Sequence, residues 1–245
     1  MTKLRIIGGE YSHDTLRRVI EGERPSRVLD APAGTGVMSQ FLRERGWDVH
    51  CADIDPGHFA AQGFPFEQVD LNRTLPYPDA SFDTVVCANG LHRLFNPGGA
   101  ITQFFRVLKP GGHLHLTINN YASIGKRLRF LVYGSITNTI NECRYLQNTD
   151  APEANVRHHL FYPQLAYLLE QAGFQIVSIQ AASVTWRHRL MAPLSWLVWL
   201  CTLGIAKRAF DRNRVRQTRS MAICGGGKYL YVRAQKVAAG AAAPA

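Results

Sequence analysis

A turn rich in small residues, Asp30-Ala31-Pro32-Ala33-Gly34-Thr35-Gly36, separates a short apolar run at residues 27–29 from a helical spacing of apolar positions at residues 37–45. Glycines let a backbone approach a ligand closely, and the first N–H groups of a helix are free to bind it. Such a turn suits a nucleotide-like ligand. By itself it also fits a plain strand-to-helix connection with a capping aspartate, so other residues must decide between the two.

Two further aspartates stand where predicted strands end. Asp53 follows a strand at residues 48–52, and Asp70 follows a shorter one at residues 67–69. Asp53 lies about twenty residues beyond the glycine turn, where nucleotide-binding α/β folds place a carboxylate that accepts hydrogen bonds from both ribose hydroxyls. The turn and Asp53 together predict a nucleotide site.

Short apolar runs alternate with helical patterns along the chain, as expected for a parallel sheet covered by helices on both faces. The predicted strands are residues 27–30, 48–52, 67–69, 82–88, 113–118, 174–179 and 228–233, and the predicted helices are residues 37–45, 98–108 and 162–171. The run Lys109-Pro110-Gly111-Gly112 is expected to break the chain between a helix and a strand. Two long segments, 119–159 and 181–227, leave from the carboxyl ends of strands, the edge where ligands bind in open α/β folds.

Several segments together resemble the class I S-adenosylmethionine-dependent methyltransferases, in particular the bacterial subgroup related to ubiquinone-biosynthesis and MetW-like enzymes. The matching pieces are VLDAPAGTG, CADIDP, DLNRTLPYPDASFDTVV and FFRVLKPGGHLHLTI, in the expected order between residues 26 and 179. The segments NYASIGKRLRFLVYGSI and HHLFYPQLAYLLEQAGFQIVSI are also similar to methyltransferases that act on polysaccharide or lipid-linked precursors. The expected fold is α/β: a Rossmann-like, seven-stranded, mostly parallel sheet whose last strand is antiparallel, with helices on both faces and a helical cap from the two insertions.

The resemblance implies that S-adenosyl-L-methionine, which leaves as S-adenosyl-L-homocysteine, is held by residues at the strand ends: Asp30, Ala31, Pro32, Gly34, Gly36, Asp53, Ile54, Asp70, Leu71, Asn89 and Gly90. The glycine turn would surround the methionine part, Asp53 would hold the ribose, and Asp70 with the backbone of Leu71 would bind adenine. Asn89 and Gly90 would flank the methionine part and open toward the acceptor. Pro32 replaces the first glycine of the family's DxGxGxG pattern, so a changed turn shape with binding retained is expected.

Two other nucleotide-dependent functions fit these residues less well. A NAD-dependent dehydrogenase shares the acidic strand end, but its fingerprint is GxGxxG, whereas the turn here reads PxGxG. Methyltransferases of nucleic acid bases carry Asn-Pro-Pro-Tyr after the fourth strand, and this chain has Asn89-Gly90-Leu91-His92 there. Both functions are therefore disfavoured.

Methyl transfer from a sulfonium needs an acceptor atom held close to the methyl group in a dry site, and a hydroxyl acceptor also needs a base. His92 follows the fourth strand on the cofactor edge and is the candidate base, although a structural histidine bonded to a loop carbonyl remains open. Tyr121, His158 and His159 are candidates for the acceptor pocket, while His113 and His115 are assigned to packing. No His, Cys or carboxylate cluster has the spacing of a metal site, so no metal is expected.

The net charge of +10 is confined to the end of the chain. Residues 1–180 contain 17 Lys and Arg against 17 Asp and Glu, and residues 181–245 contain 11 against 1. Such a basic segment can face anionic lipid, nucleic acid or a phosphorylated substrate.

The same region contains an uncharged run at residues 190–206. It is shorter than the roughly 20 apolar residues that cross a bilayer, contains Pro193 and Gly204, and has basic residues on both sides. A single crossing is therefore rejected. An in-plane contact of residues 187–219 with an anionic membrane, a buried cap helix and a homodimer interface all remain open.

The sequence thus predicts a single domain over residues 1–245, with a disordered tail at 237–245. The five scattered cysteines and the absence of a secretory signal pattern favour a cytoplasmic protein, and a peripheral location on the inner membrane remains open. The predicted function is transfer of a methyl group to a small or lipid-linked acceptor, for instance a glycan precursor. A non-catalytic S-adenosylmethionine-binding scaffold and an RNA methyltransferase are the alternatives, and nucleic acid is the less expected partner.

Overall fold

The computed structural model describes residues 11–136, 159–182 and 184–237. The strands are β1 (Arg27–Asp30), β2 (Asp48–Asp53), β3 (Phe66–Gln68), β4 (Phe82–Ala88), β5 (Leu108–Asn119), β6 (Phe174–Ala182) and β7 (Tyr229–Lys236). The α-helices are α1 (Tyr11–Ile20), α2 (Val37–Arg43), α3 (Pro97–Val107), α4 (Ile124–Tyr133), α5 (Tyr162–Gln171), α6 (Trp186–Met191), α7 (Ser195–Cys201), α8 (Lys207–Arg212) and α9 (Val215–Thr218). Single 3-10 turns lie at Leu91–Arg93 and Ala192–Leu194.

The seven strands form one sheet in the order β3-β2-β1-β4-β5-β7-β6. Strands β1 to β5 pair in parallel with their neighbours, and β7 runs antiparallel to both β5 and β6. The strand order reverses between β1 and β4, which opens the crevice where ligands bind in open α/β sheets. The predicted mostly parallel sheet with an antiparallel last strand is confirmed.

Successive residues of each strand face opposite sides of the sheet, and both sides are covered. Val28 on β1 packs in a core cluster with side chains of α1 and α2, such as Leu16 and Leu42. The next residue, Leu29, belongs to a second cluster that includes Phe104 of α3. Apolar side chains on both faces explain why the parallel strands read as continuous apolar runs.

The expected breaker Lys109-Pro110-Gly111-Gly112 does not separate two elements, because it lies inside β5. Phe82 pairs with Leu108 and Thr84 pairs with His113, so one residue of β4 faces four residues of β5. Gly111 takes a positive φ of 80°, which bends this bulge out of the ladder. Lys109 Nζ lies 2.8 and 2.9 Å from the two carboxylate oxygens of Asp83.

The sequence pattern did not predict α1 at Tyr11–Ile20.

Both insertions contain helices, although the described residues cover the first one only in part. The first insertion opens with α4, whereas residues 137–158 lie outside the described part of the chain, as do residues 238–245 of the expected tail. The uncharged run 190–206 is divided among α6, a 3-10 turn and α7. Among the helices that the structure describes, none combines the length and apolar character required to traverse a bilayer.

The roots of the two insertions are joined by hydrogen bonds. Asn120, just after β5, donates from Nδ2 to the carbonyl oxygens of Ile223 at 2.7 Å and of Gly227 at 3.2 Å. The backbone N–H of Ile124 donates to the carbonyl oxygen of Cys224 at 2.8 Å. The start of the first insertion is therefore fixed to the end of the second.

A polar cluster inside the sheet attaches the α1–β1 connection to the central strands. His115 of β5 is fully buried, with Nδ1 2.8 Å from the Tyr231 hydroxyl and Nε2 3.3 Å from Glu23 Oε2. Arg233 lies 2.9 Å from Glu23 Oε1 and 3.2 Å from His113 Nε2. These contacts agree with the packing role expected of both histidines.

Replacing Glu23 by Gln tests this cluster. Burial acts to raise the pKa of Glu23, but the hydrogen bond from His115 and the charges of His115 and Arg233 outweigh it and hold the pKa below its usual 4.5. The resulting stability is present above pH 4.5 and is lost as pH falls through the lowered value. Glu23→Gln should lower the unfolding free energy at neutral pH by about 1–3 kcal/mol, and less in acid, in urea titrations.

The matched control is Glu21→Gln, because Glu21 forms only an exposed ion pair with Arg45. This change should shift the unfolding free energy by no more than about 0.5 kcal/mol. Equal losses of unfolding free energy in both variants would show that the buried cluster stabilises the fold no more than an exposed ion pair does.

Candidate active site

The parallel register brings the predicted site residues to one edge of the sheet. Asp30 ends β1, and β1 pairs with β2 on one side and with β4 on the other. Asp53 at the end of β2 and Asn89 just after β4 therefore meet Asp30 at the carboxyl edge, in the crevice where the strand order reverses. The glycine turn crosses this crevice before α2 begins.

The turn uses its glycines where other residues would be strained. Gly34 and Gly36 have positive φ values of 55° and 83°. A Cβ on Gly36 would lie 2.4 Å from Ala61 Cβ and 2.9 Å from the Phe59 ring. The segment after β2 thus packs directly on the start of α2, and only glycine fits between them.

Asp53 fastens the turn to β2. Its Oδ2 accepts a hydrogen bond from the Gly34 N–H at 2.7 Å, and its Oδ1 accepts one from the Asp55 N–H at 3.2 Å. A carboxylate has about four acceptor positions, so two remain after these bonds, and their assignment to the ribose hydroxyls stays a prediction. The next residue, Ile54, exposes 60% of its surface and offers an apolar face beside this carboxylate.

Asp30 is buried, and only one of its two carboxylate oxygens accepts a hydrogen bond within the described residues. Its Oδ2 accepts a hydrogen bond from the Ser39 hydroxyl at 2.6 Å, whereas its buried Oδ1 has no hydrogen-bond partner among the described residues. Burial raises the pKa of Asp30 to about 7; the Ser39 bond opposes the rise and the nearby Asp53 charge adds to it. A buried acceptor of this kind fits a cofactor that brings donors and positive charge.

Asn89 shows the same feature on the neighbouring strand end. Its φ is 54°, and its backbone N–H donates to Thr117 Oγ1 at 3.0 Å and to the Thr117 carbonyl oxygen at 3.1 Å. Both polar atoms of its side-chain amide are buried without a hydrogen-bond partner in the part of the chain that is described. The assignment of Asp30 and Asn89 to the methionine part of S-adenosylmethionine, which has amino and carboxylate groups, stays a prediction.

Pro32 changes the turn through a contact with Gly90. The Ala31–Pro32 peptide bond is cis, and Ala31 is fully buried. A Cβ on Gly90 would lie 2.3 Å from Pro32 Cδ and 2.7 Å from its Cγ. The proline ring thus occupies the space beside Gly90, and the missing glycine of the turn is matched by a glycine opposite it.

Asp70 is held within its own loop more fully than the sequence suggested. Its Oδ1 accepts from both the backbone N–H and the side-chain amide of Asn72 at 2.9 Å, and its Oδ2 lies 3.5 Å from Arg73 Nε. Asn72 Oδ1 in turn accepts from the backbone N–H of Phe95 at 2.8 Å. Leu71 is buried beside this loop, and the assignment of Asp70 and Leu71 to adenine stays a prediction.

The acceptor candidates lie close to this edge, with one exception. His92 is buried in the 3-10 turn that follows Gly90, and its role as a base stays a prediction. The Tyr121 ring, just after β5, lies 5.0 Å from the His159 ring and 5.7 Å from the Phe161 ring between centroids. His158 lies outside the described residues.

Sequence reasoning missed three supporting residues: Ser39, Asn72 and Thr117. Ser39 had a detectable signal, since it is a polar residue in α2 that lies one turn beyond Gly36. The bond between Thr117 and Asn89 joins residues 28 positions apart, and no local pattern indicates it.

A family model described as a methyltransferase domain matches residues 4–179. The ubiquinone/menaquinone biosynthesis C-methyltransferase UbiE of Stutzerimonas stutzeri is 32% identical over 194 residues, which cover 69% of this chain and 73% of that protein. The demethylmenaquinone methyltransferase of Deinococcus radiodurans is 38% identical over 106 residues, which cover 38% of this chain and only 42% of that protein.

Solved structures agree with the fold. The 1,6-didemethyltoxoflavin-N1-methyltransferase of Burkholderia thailandensis, with bound S-adenosylhomocysteine, has a TM-score of 0.57 and 18% identity. The similarity covers 94% of this chain and 80% of that one. At this identity the match concerns the fold alone.

Asp53→Ala should weaken S-adenosylmethionine binding by about 10–100-fold, because hydrogen bonds to a charged acceptor contribute about 1.5–3 kcal/mol. Isothermal titration calorimetry with the cofactor and with S-adenosylhomocysteine measures the change. Asp48→Ala is the matched control, since Asp48 begins the same strand at the opposite edge, where it lies 3.6 Å from Arg27 Nε and 3.7 Å from His50 Nε2. Unchanged affinity in Asp53→Ala would rule out the ribose assignment.

The raised pKa of Asp30 predicts a pH dependence of cofactor binding. Below about pH 7 the carboxyl is protonated, and above it the negative charge attracts the cationic cofactor. The affinity of the wild type should rise about tenfold as pH increases through 7, and that of Asp30→Asn should not.

In the absence of cofactor, the raised pKa of Asp30 makes the folded protein less stable as pH rises. Because the folded pKa lies above the usual 3.8, stability falls as pH rises from 3.8 to about 7. Cofactor-free Asp30→Asn should therefore melt above the wild type at pH 8 and not at pH 4. A pH-independent difference in melting temperature would contradict the assignment.

Proposed function

Since this chain belongs to the class I S-adenosylmethionine-dependent methyltransferases, in their ubiquinone-biosynthesis-like branch, we propose that it methylates a hydrophobic small-molecule or lipid-linked acceptor. One observation carries the proposal. Buried polar side-chain atoms of Asp30 and Asn89 that have no hydrogen-bond partner among the described residues lie at the sheet edge where Tyr121 follows β5 and contacts the His159 ring. A cationic methyl donor and a ring-shaped acceptor can therefore meet at this edge.

The cofactor supplies a methyl group on a positively charged sulfur. The chain has to hold the acceptor atom in line with that methyl group, keep water away and take up a proton where the acceptor carries one. The acceptor atom forms its bond to the methyl carbon as the carbon–sulfur bond breaks, and that electron pair stays on sulfur. In the proposal His92 receives the proton, because it lies in the 3-10 turn that follows Gly90 after β4.

The acceptor class follows from the side chains near the site. Tyr121, His159 and Phe161 form an aromatic cluster, and Phe95 is exposed in the loop joined to Asn72. Aromatic rings of this kind pack against a planar ring. Because two relatives are named for quinone methylation, a reduced quinone nucleus is the acceptor that we favour.

A lipid-linked glycan precursor is the second acceptor, supported by the likeness of the segments around α4 and α5 to methyltransferases of such precursors. Both acceptors carry a long apolar chain and reside in membranes. The proposal therefore places the enzyme peripherally on the inner membrane surface, with the basic residues of 187–219 facing anionic lipid.

Turnover with defined acceptors tests the proposal. Purified protein should release S-adenosylhomocysteine with a short-chain demethylated quinol, measured by mass spectrometry. His92→Gln should lower kcat by about 100-fold or more, and Tyr121→Ala should mainly raise KM. His50→Gln, a change on β2 where His50 contacts Arg27, is the control and should leave turnover unchanged.

The same assay separates the alternatives. Methylation of a lipid-linked glycan but not of the quinol would select the second acceptor. Methylation of RNA alone would overturn the proposal, as would cofactor binding without turnover on any acceptor, which is the behaviour of a scaffold.

A further inference from the structure

Exposed apolar side chains are concentrated in the two insertions. Fourteen of the twenty large apolar side chains that are exposed within the described residues lie in α4 or in residues 186–205. Leu131 of α4 is 81% exposed, and Trp196 of α7 is 71% exposed. Such a concentration of exposed apolar side chains on a folded protein marks an interaction surface.

The two groups form one surface, because they share a groove. A cavity of about 570 Å³ lies between α4 and the segment from Leu194 to Ile205. Its lining is almost entirely apolar and includes Leu128, Leu131 and Leu197. We call this surface, α4 together with residues 190–206, the apolar face.

The apolar face begins close in the chain to Tyr121, the acceptor-pocket candidate. Ile124 lines the groove and lies three residues beyond Tyr121 in the chain. Arg127 of α4 donates to the carbonyl oxygens of Ala122 at 2.8 Å and of Thr218 at 2.8 Å, so both insertions are fixed around the groove. An apolar chain in the groove would leave its head group near Tyr121.

Charge and aromatic content indicate what covers this face. Lys207, Arg208 and Arg212 are exposed in α8, directly after the apolar run, and neither α4 nor residues 184–210 contain an acidic residue. The Trp196 and Trp199 rings lie 6.3 Å apart on α7. Exposed tryptophans beside a row of cations are typical of helices that lie in the interface of an anionic bilayer. Dimerisation through this face would bring the basic residues of two copies close together, and their like charges would repel each other.

We propose that the apolar face docks on an anionic lipid bilayer and that its groove admits the apolar chain of the acceptor from that bilayer. The inference rests on the proposed function for the entry of the acceptor, whereas bilayer binding itself needs no turnover. It adds α4 to the membrane contact that the sequence left open, beside a cap helix and a dimer interface, for residues 187–219.

Sedimentation with vesicles tests the docking. The full chain with bound S-adenosylhomocysteine should sediment with phosphatidylglycerol-containing vesicles and much less with pure phosphatidylcholine. Leu131→Glu combined with Trp196→Glu should reduce the bound fraction at least about tenfold. Tyr167→Glu is the control, because Tyr167 is 58% exposed on α5, outside the face, and binding should be retained.

A second pair of variants tests the charges. Lys207→Glu with Arg208→Glu should weaken binding to the anionic vesicles and reduce its dependence on salt. Arg18→Glu, an exposed change on α1, should do neither.

Turnover separates this inference from the proposed function. With a short-chain soluble quinol the Leu131→Glu/Trp196→Glu variant should match the wild type, and with a long-chain quinol in vesicles it should lose most of its activity. Failure of the wild type to bind vesicles overturns the docking and leaves soluble turnover as evidence for the function. Vesicle binding without turnover on any acceptor contradicts the function alone. If the double variant changes a dimer to a monomer in light scattering while vesicle binding persists, the face is a subunit interface and the docking is overturned.

Discussion

The hydrogen bond from the Gly34 N–H to the Asp53 carboxylate joins the two parts of the chain on which the cofactor site depends. It fixes the glycine turn against the end of β2 at 2.7 Å and brings a charged carboxylate next to the buried Asp30. Burial raises the pKa of Asp30, and repulsion from the Asp53 charge adds to the rise. A cationic ligand relieves this repulsion, so the geometry of the turn and the charge of the ligand are matched.

The sheet and the strand-end residues could be predicted because they depend on local rules. Alternating apolar runs identify strands, and the carboxyl ends of neighbouring parallel strands must meet. Asp30, Asp53 and Asn89 accordingly lie at one edge. Thr117 was missed because it contacts Asn89 across the sheet, 28 positions away, whereas Ser39 had a local signal one turn beyond Gly36. The polar run at residues 109–112 was misread as a stop, because the bond between Lys109 and Asp83 that holds it in the ladder joins residues 26 positions apart.

The two insertions are separate in sequence and act as one body in the fold. Asn120 and Ile124 bind the backbone near residues 223–227, and Arg127 reaches Thr218. None of these bonds follows from a sequence pattern, because their partners lie about a hundred residues away. The groove between α4 and residues 194–205 is thus built from both insertions, and neither one alone determines its shape.

The contact between Pro32 and Gly90 has a consequence for how such a chain can change over time. The proline ring fills the space that a side chain at position 90 would need, so the glycine there is imposed by the proline and not by its own backbone, whose φ is −89°. A smaller residue at position 32 would remove this contact, and Cys87 Sγ, 3.1 Å from the same point, would then be the next atom to limit a side chain at position 90. The two positions are therefore coupled, and a larger residue at position 90 requires a change at position 32 first.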